Sequence, residues 1–385
     1  MIQRFLKIFC ICLFLVSCGE KEQEEKNASS GLELVKADFS DLKGWKNDRL
    51  SDIVPAIEKS CSKIITQKSE FLGSAEIKIP TKSYADICLK LLKSPKTDIK
   101  KFIKSNFTPY LVKFDNSSQG KFTSYYEAEL HASKTPDEKY RYPIYGRPND
   151  IIEINLHDFD KNLPNKRYVG RIENQKLVPY YTRSEIENNG IDAPVILWSD
   201  SYIDIYIMQI QGSAVATLTD GSKVRIGYAE NNGRDFKGIG SILLEKGLLK
   251  PGQTSMSHIK KWLKENIDAS TVHMNENNRY VFHRLIQSPG PIGAQGVPLT
   301  AGRSLAVDKA YIPLGALLWL ETSGPDRQPI NKMVVAQDIG GAIKGAVRGD
   351  YFWGSGGDDI LDLAGKMNSA GQYYILLPKN MEIKQ

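Results

Sequence analysis

The run VVAQDIGGAIKGAVRGDYFWG, residues 334–354, constrains this chain more than any other stretch. Met333, Val334, Val335 and Ala336 make a short apolar segment of the kind that forms a buried strand. It ends in a carboxylate, Asp338, and a bend containing Gly340, Gly341, Gly345 and Gly349 lets the backbone turn sharply. A second acid, Asp350, immediately precedes Tyr351, Phe352 and Trp353. A carboxyl packed beside rings loses water, its charged form is disfavoured, and an acid still protonated near neutral pH can donate a proton. Asp350 is therefore a general-acid candidate. Both aspartates equally suit turn capping, and spacing alone does not decide between the two roles.

Together with AVDKAYIPLGALLWL (residues 306–320), this run resembles the 3D domain of the membrane-bound lytic transglycosylase A family. That domain is named for three aspartates, which here are Asp308, Asp338 and Asp350. Upstream, FTSYYEAEL (122–130), YPIYGRP (142–148), YYTRSEI (180–186), IMQIQGSA (207–214) and GVPLTAGRSLAVD (296–308) are similar to the family's other segments, in the same order. The likeness covers residues 40–380. Ser124 and Ala128 stand where the family's FTGYYEP-like segment has glycine and proline.

Composition bounds the rest. With 385 residues, 41% hydrophobic and 25% charged, the chain can fold as two domains around a large core. Its formal charge is +6; removing a leader that carries Arg4, Lys7 and no acid leaves 6 − 2 = +4. That mild balance does not argue for nucleic acid and is compatible with an anionic polymer. The start MIQRFLKIFCICLFLVSC has the basic beginning and short apolar run of a secretory signal, or of an uncleaved anchor. Leu15-Val16-Ser17-Cys18 resembles a bacterial lipobox, which implies residues 1–17 as signal peptide, a lipidated Cys18 and an exported chain. By resemblance to enterobacterial lipoproteins, Gly19 after the cysteine implies the outer membrane, facing the periplasm. The charged stretch EKEQEEKNASS (20–30) reads as a flexible tether within residues 18–40.

Cys61 and Cys88 remain after the leader. An oxidising compartment favours one disulfide, and two reduced buried thiols stay open. The five histidines fall in no metal-ligand spacing, and neither GxSxG nor a dinucleotide fingerprint is present, so no metal or cofactor is expected.

Residues 52–106 read as helical, with a capping-box-like start at Ser83 to Asp86 and a break at Pro95 before a helix near Thr97. Strands are expected over 110–114 and 121–130. A turn-linked pair follows over 171–181, then a short helix opened by Thr182-Arg183-Ser184-Glu185 and closed by Gly190. Residues 205–211 alternate apolar and polar, and Asp220-Gly221 predicts a type I′ hairpin, so the centre reads as all-β. Helices return at 240–246 and 257–266. Further strands are expected at 297–299, 304–307, 316–321, 333–337 and 373–377. Asp358, Asp359 and Asp362 read as an acid-rich helix start rather than a cation site.

The resemblance implies a mainly β fold with accessory helices. A double-psi β-barrel (residues 41–124 plus 285–385, with N-terminal helices) would be interrupted by an inserted β-rich substrate domain (125–284), leaving a groove between them. It implies cleavage of the β-1,4 bond between N-acetylmuramic acid and N-acetylglucosamine in peptidoglycan, with a 1,6-anhydro product. Asp350 would act as acid then base, supported by Asp338 and Asp308, with Thr123, Tyr126, Gln211 and Ser213 touching sugar. Expected partners are glycan strands, the outer membrane through the lipid anchor, and cell-wall synthesis machinery. A hydrolytic muramidase using Asp338 to activate water, and a non-enzymatic peptidoglycan-binding lipoprotein, are the alternative readings.

Overall fold

The computed structural model describes residues 31–73, 76–93 and 98–381. Cys18, the signal reading, the tether reading as far as residue 30 and the break at Pro95–Thr97 lie outside them; residues 31–40 of the expected tether are described, and residues 32–36 of them form a strand paired into the sheet.

An edge strand, β1 (Leu32–Lys36), leads into the expected helical block. Helix α1 (Val54–Ile64) has Pro55 in its first turn, where a missing N–H costs nothing. A small hairpin follows, β2 (Phe71–Gly73) with β3 (Lys78–Pro80), and then α2 (Thr81–Lys93) and α3 (Ile99–Asn106). Because α2 begins at Thr81, Ser83 lies inside the helix and does not cap it. Cys61 and Cys88 form a disulfide that ties α1 to α2.

Strands β4 (Phe107–Phe114) and β5 (Gly120–Ser133) come next, then β6 (Tyr142–Tyr145), β7 (Ile152–Asn155), a single turn α4 (Leu156–Phe159), β8 (Arg167–Glu173) and β9 (Lys176–Pro179). Helix α5 (Arg183–Asn189) carries the full capping box between Thr182 and Glu185, and Gly190 ends it at a φ of 69°. After β10 (Val195–Ser199) the chain departs from expectation: residues 202–211 are a helix, α6 (Tyr202–Gln211), not a strand. The Ser201 hydroxyl caps it, Gly212 ends it in the left-handed region, and Ile203, Ile205, Tyr206, Ile207 and Met208 are all buried. A helix buried nearly all round shows no 3.6-residue stripe, so its short period-2 pattern misled.

Strands β11 (Ala214–Leu218) and β12 (Lys223–Asn231) form the expected hairpin. Its turn is not type I′. Only Gly221 has positive φ, 79°, while the Gly221 N–H donates to the Leu218 carbonyl and the Leu218 N–H to the Ser222 carbonyl, the pattern of a type I turn with a glycine bulge. The two helices expected next are present, α7 (Ile239–Glu245) and α8 (Met256–Glu265), and an unexpected third, α9 (Ile267–Asn275), packs with them; with α6 it makes the centre mixed rather than all-β. The chain closes with β13 (Val281–Ile286), β14 (Ser304–Val307), β15 (Leu317–Ser323), β16 (Pro329–Asp338), β17 (Arg348–Ser355), α10 (Asp358–Gly365) and β18 (Asn368–Pro378). Residues 297–299 are not a strand; Pro298 makes only an isolated bridge to Ile292.

Hydrogen bonding joins β18, β15, β16, β14, β17 and β5 in order, and β18 pairs with β5 again, so these six strands form a closed ring. Trp319, Leu305, Val335, Tyr373 and Phe122 belong to its core, which continues into α1 and α2. Strand β5 serves two cores. As far as Glu127 it pairs with β17, and from Ala128 on with β11, where Ala128, Leu130 and Ala132 join a second core around α6.

Candidate active site

Strand β14 lies between β16 and β17, and Ala306 is in register with Asp338 on one side and Asp350 on the other. The two carboxylates thus sit on the nearest neighbours of one strand. Beyond β17, Thr123 of β5 is in register with Asp350.

Asp338 is held by three donors. Its Oδ1 accepts the N–H groups of Ala294 and Ile339, both at 2.9 Å, and its Oδ2 accepts the Tyr125 hydroxyl at 2.8 Å. Asp350 accepts one, the Thr123 hydroxyl, which itself accepts from the Arg348 guanidinium at 2.7 Å; the closest approach of Arg348 to the Asp350 carboxylate is 3.9 Å. The Asp350 side chain keeps 18% of its exposure. The Tyr125 ring lies 5.1 Å from that of Phe352, centre to centre, and Tyr351 meets Trp353 edge-on at 5.0 Å.

Burial pushes the Asp350 carboxyl up to about 6. The Thr123 hydrogen bond and the Arg348 charge work against this, and the negative charge of Asp338 adds to it. Burial also raises Asp338, opposed by its three hydrogen bonds. The Tyr125 phenol is raised far above its usual range by burial and by the Asp338 charge, so it stays a donor. The carboxyl with the poorer donor set is the one better fitted to hold a proton.

Asp308 accepts the N–H groups of Gly345 at 2.9 Å and Ala310 at 3.1 Å. Gly345 has a φ of 112°, so Asp308 fastens the glycine-rich loop between the two acids at a point only glycine adopts readily. Gln211 accepts the Tyr126 N–H at 3.3 Å, which ties the end of α6 to β5. The Tyr126 ring lies within the second core, and Ser213 is buried beside Gly212. Tyr125 and Arg348, which are not among the expected site residues, are the further side chains that meet the acids. Strand alternation puts Thr123 and Tyr125 on one face of β5 and Tyr126 on the other, a signal present in FTSYYEA.

A solvent-open cavity of about 310 Å³ is lined by Ile210, Phe236, Ile239, Thr254 and Met256. A Cβ placed on Gly341 would lie 4.0 Å from that of Phe236, so this cavity adjoins the glycine-rich loop.

Two family models match the chain, the MltA specific insert domain over residues 121–284 and the 3D domain over residues 303–377. A membrane-bound lytic murein transglycosylase A of Escherichia coli K12 is 31% identical over 272 residues, covering 68% of this chain and 67% of that protein. Among solved structures, MltA from Neisseria gonorrhoeae aligns with a TM-score of 0.78 at 31% identity, over 92% of this chain and 95% of that one. A membrane-bound lytic murein transglycosylase from Agrobacterium tumefaciens aligns with a TM-score of 0.79 at 30% identity, over 90% and 98%.

Proposed function

Because this chain belongs to the membrane-bound lytic murein transglycosylase A family, we propose that Asp350 is its catalytic acid and then its base. The protein is an enzyme, a lytic transglycosylase acting on peptidoglycan. The bond cleaved is the β-1,4 link between N-acetylmuramic acid and N-acetylglucosamine. Asp350 gives its proton to the bridging oxygen as that oxygen parts from C1 of the muramic sugar, and glucosamine leaves with a free 4-hydroxyl. The oxygen of the muramic C6 hydroxyl bonds to C1, and its proton returns to the Asp350 carboxylate. No water is consumed, one carboxyl serves both steps, and holding the sugar in place favours its own hydroxyl over solvent.

Asp350 is the carboxyl whose surroundings suit a proton donor best, partly exposed yet raised to about 6 beside an acid with a fuller set of hydrogen-bond donors, and that observation carries the proposal. Asp338 keeps Asp350 protonated through its charge; with both its oxygens occupied it is a poor base for water, which speaks against hydrolysis. Asp308 acts through the loop it fastens. Thr123 orients the acid, and Tyr126, Gln211 and Ser213 shape the wall that the sugars meet. The six-stranded ring is the double-psi barrel of residues 41–124 and 285–385, residues 125–284 are the inserted domain, and the cavity beside Phe236 is part of the glycan groove between them. Cys18 carries the lipid that anchors the enzyme to the outer membrane on its periplasmic side.

Digestion of purified sacculi with the Asp350→Asn variant tests this. Mass spectrometry should show no anhydromuramic ends while glycan affinity is retained. Full turnover in that variant, or reducing ends from the unaltered enzyme, would overturn it.

A further inference from the structure

We propose that Ser60, Gln337 and Gln295 are positioning residues for the reaction, a buried relay by which helix α1 holds Asp338 from behind. Gln337 sits one residue before Asp338 at the tip of β16, where the register against β14 skips a residue, and the two side chains meet different elements, Gln337 reaching α1 and Asp338 reaching Tyr125 of β5. Gln337 is fully buried. Its amide nitrogen donates to the Ala56 carbonyl at 3.0 Å and to the Ser60 oxygen at 2.8 Å, both on α1, and its amide oxygen accepts the Ser304 hydroxyl at 2.5 Å. The Ser60 hydroxyl donates in turn to the side-chain oxygen of Gln295 at 2.7 Å.

Gln295 is the neighbour of Ala294, whose N–H binds Asp338. The Gln295 N–H donates to the Gln337 carbonyl at 3.0 Å, and a Cβ on Gly293 would fall 2.4 Å from that same carbonyl oxygen, so this loop lies flat against the strand tip. Both backbone segments that orient Asp338, its own strand and the Ala294 loop, therefore end on the single hydroxyl of Ser60. A strand whose preceding residues are Met333 to Ala336 would be filled more cheaply here by an apolar side chain, since a buried amide must have every hydrogen bond met. The polar choice is explained if it sets the direction of Asp338, and through Asp338 the Tyr125 hydroxyl and the field on Asp350.

The inference rests on Asp350 as the acid. The charged groups acting on that carboxyl are Asp338 and, against it, Arg348 and Lys121, while the neutral Tyr125 phenol faces both aspartates and is itself raised by their charges. Ser60→Ala removes the hydroxyl where the relay branches. Gln295→Met keeps the shape and removes the acceptor; the Gln295 amide nitrogen has no hydrogen-bond partner, so that donor is not missed. In the full-length enzyme each substitution should lower kcat about ten- to a hundredfold at unchanged glycan affinity and nearly unchanged melting temperature. The pH at which turnover is half lost on the alkaline side should also fall, because a displaced Asp338 no longer favours the protonated Asp350. Ser60→Thr, which keeps the hydroxyl, should restore both. Wild-type kcat and an unmoved alkaline limb in both Ser60→Ala and Gln295→Met would overturn the relay alone, provided Asp350→Asn is inactive beside them. An active Asp350→Asn would overturn the acid assignment and the relay with it.

Discussion

The guanidinium of Arg348 stops 3.9 Å from the carboxylate of Asp350, too far for a hydrogen bond, and the Thr123 hydroxyl fills the gap by accepting from one and donating to the other. Arg348 thereby offsets part of what burial does to Asp350. With Asp350 as the proposed acid, turnover needs its protonated form, so it should be high on the acid side and fall as pH rises through about 6. Removing the positive charge favours the protonated form. Arg348→Met should therefore move the alkaline limb upward by roughly one pH unit, as expected for losing a single cation at this distance in a partly solvated site. An initial-rate profile across that limb checks it, and a downward shift would contradict the arrangement.

The same raised carboxyl should cost stability. Asp350 binds its proton more tightly folded, at about 6, than unfolded, near 3.8. Below about pH 4 the two states are equally protonated and nothing is lost; between about pH 4 and 6 stability falls as pH rises, and above that the whole penalty is present. At 1.36 kcal/mol per pH unit it amounts to about 3 kcal/mol, less what the residual exposure relieves. Asp350→Asn should thus be the more stable protein at pH 7.5, by about 2 to 3 kcal/mol, and lose that advantage by about pH 3.5. Urea denaturation at the two values measures it.

What could be read in the chain, and what could not, divides by the range of the interaction. The strand ending in Asp338, the capping box at Thr182 and Glu185 and the desolvated Asp350 are local patterns, and the fold keeps all three. Helix α6 was hidden because burial on nearly every side erases its stripe. Ring closure through Asn368 opposite Thr123 joins residues 245 apart (368 − 123), which no local period encodes. The choice of Tyr125 over Tyr126 needed only the strand's alternation together with knowledge of which face the acids occupy. The Cys61–Cys88 bond stayed open in sequence because it depends on how two helices dock.

That disulfide closes a separation of 27 residues between two helices that flank the ring, and both cysteines are buried. In the chain-entropy account a loop of this size removes about 3 to 4 kcal/mol of freedom from the unfolded state. The double variant Cys61→Ala, Cys88→Ala should lose roughly that much in urea, and reductant should have little effect on the folded enzyme below its unfolding transition. An unchanged midpoint would mean that helix packing alone holds α1 against α2.

Glu127 is fully buried at the point where β5 changes partner from β17 to β11, and its carboxylate joins three elements. Arg225 of β12 donates to it from Nε at 2.8 Å, and the Ser355 hydroxyl at the end of β17 donates to its other oxygen. Arg225 also reaches the Ser288 carbonyl, just past β13. Such a pair contributes little net stability against an apolar replacement of both partners, but removing one leaves the other charge without a counterpart in the interior. Arg225→Met should cost about 3 to 5 kcal/mol. Adding Glu127→Gln to it should recover much of that loss, because the neutral amide no longer needs a cation and can still accept from Ser355. Denaturation midpoints of the two single variants and the double variant form a thermodynamic cycle. If the double variant were no more stable than Arg225→Met alone, packing rather than charge would be what joins the two cores at this point of β5.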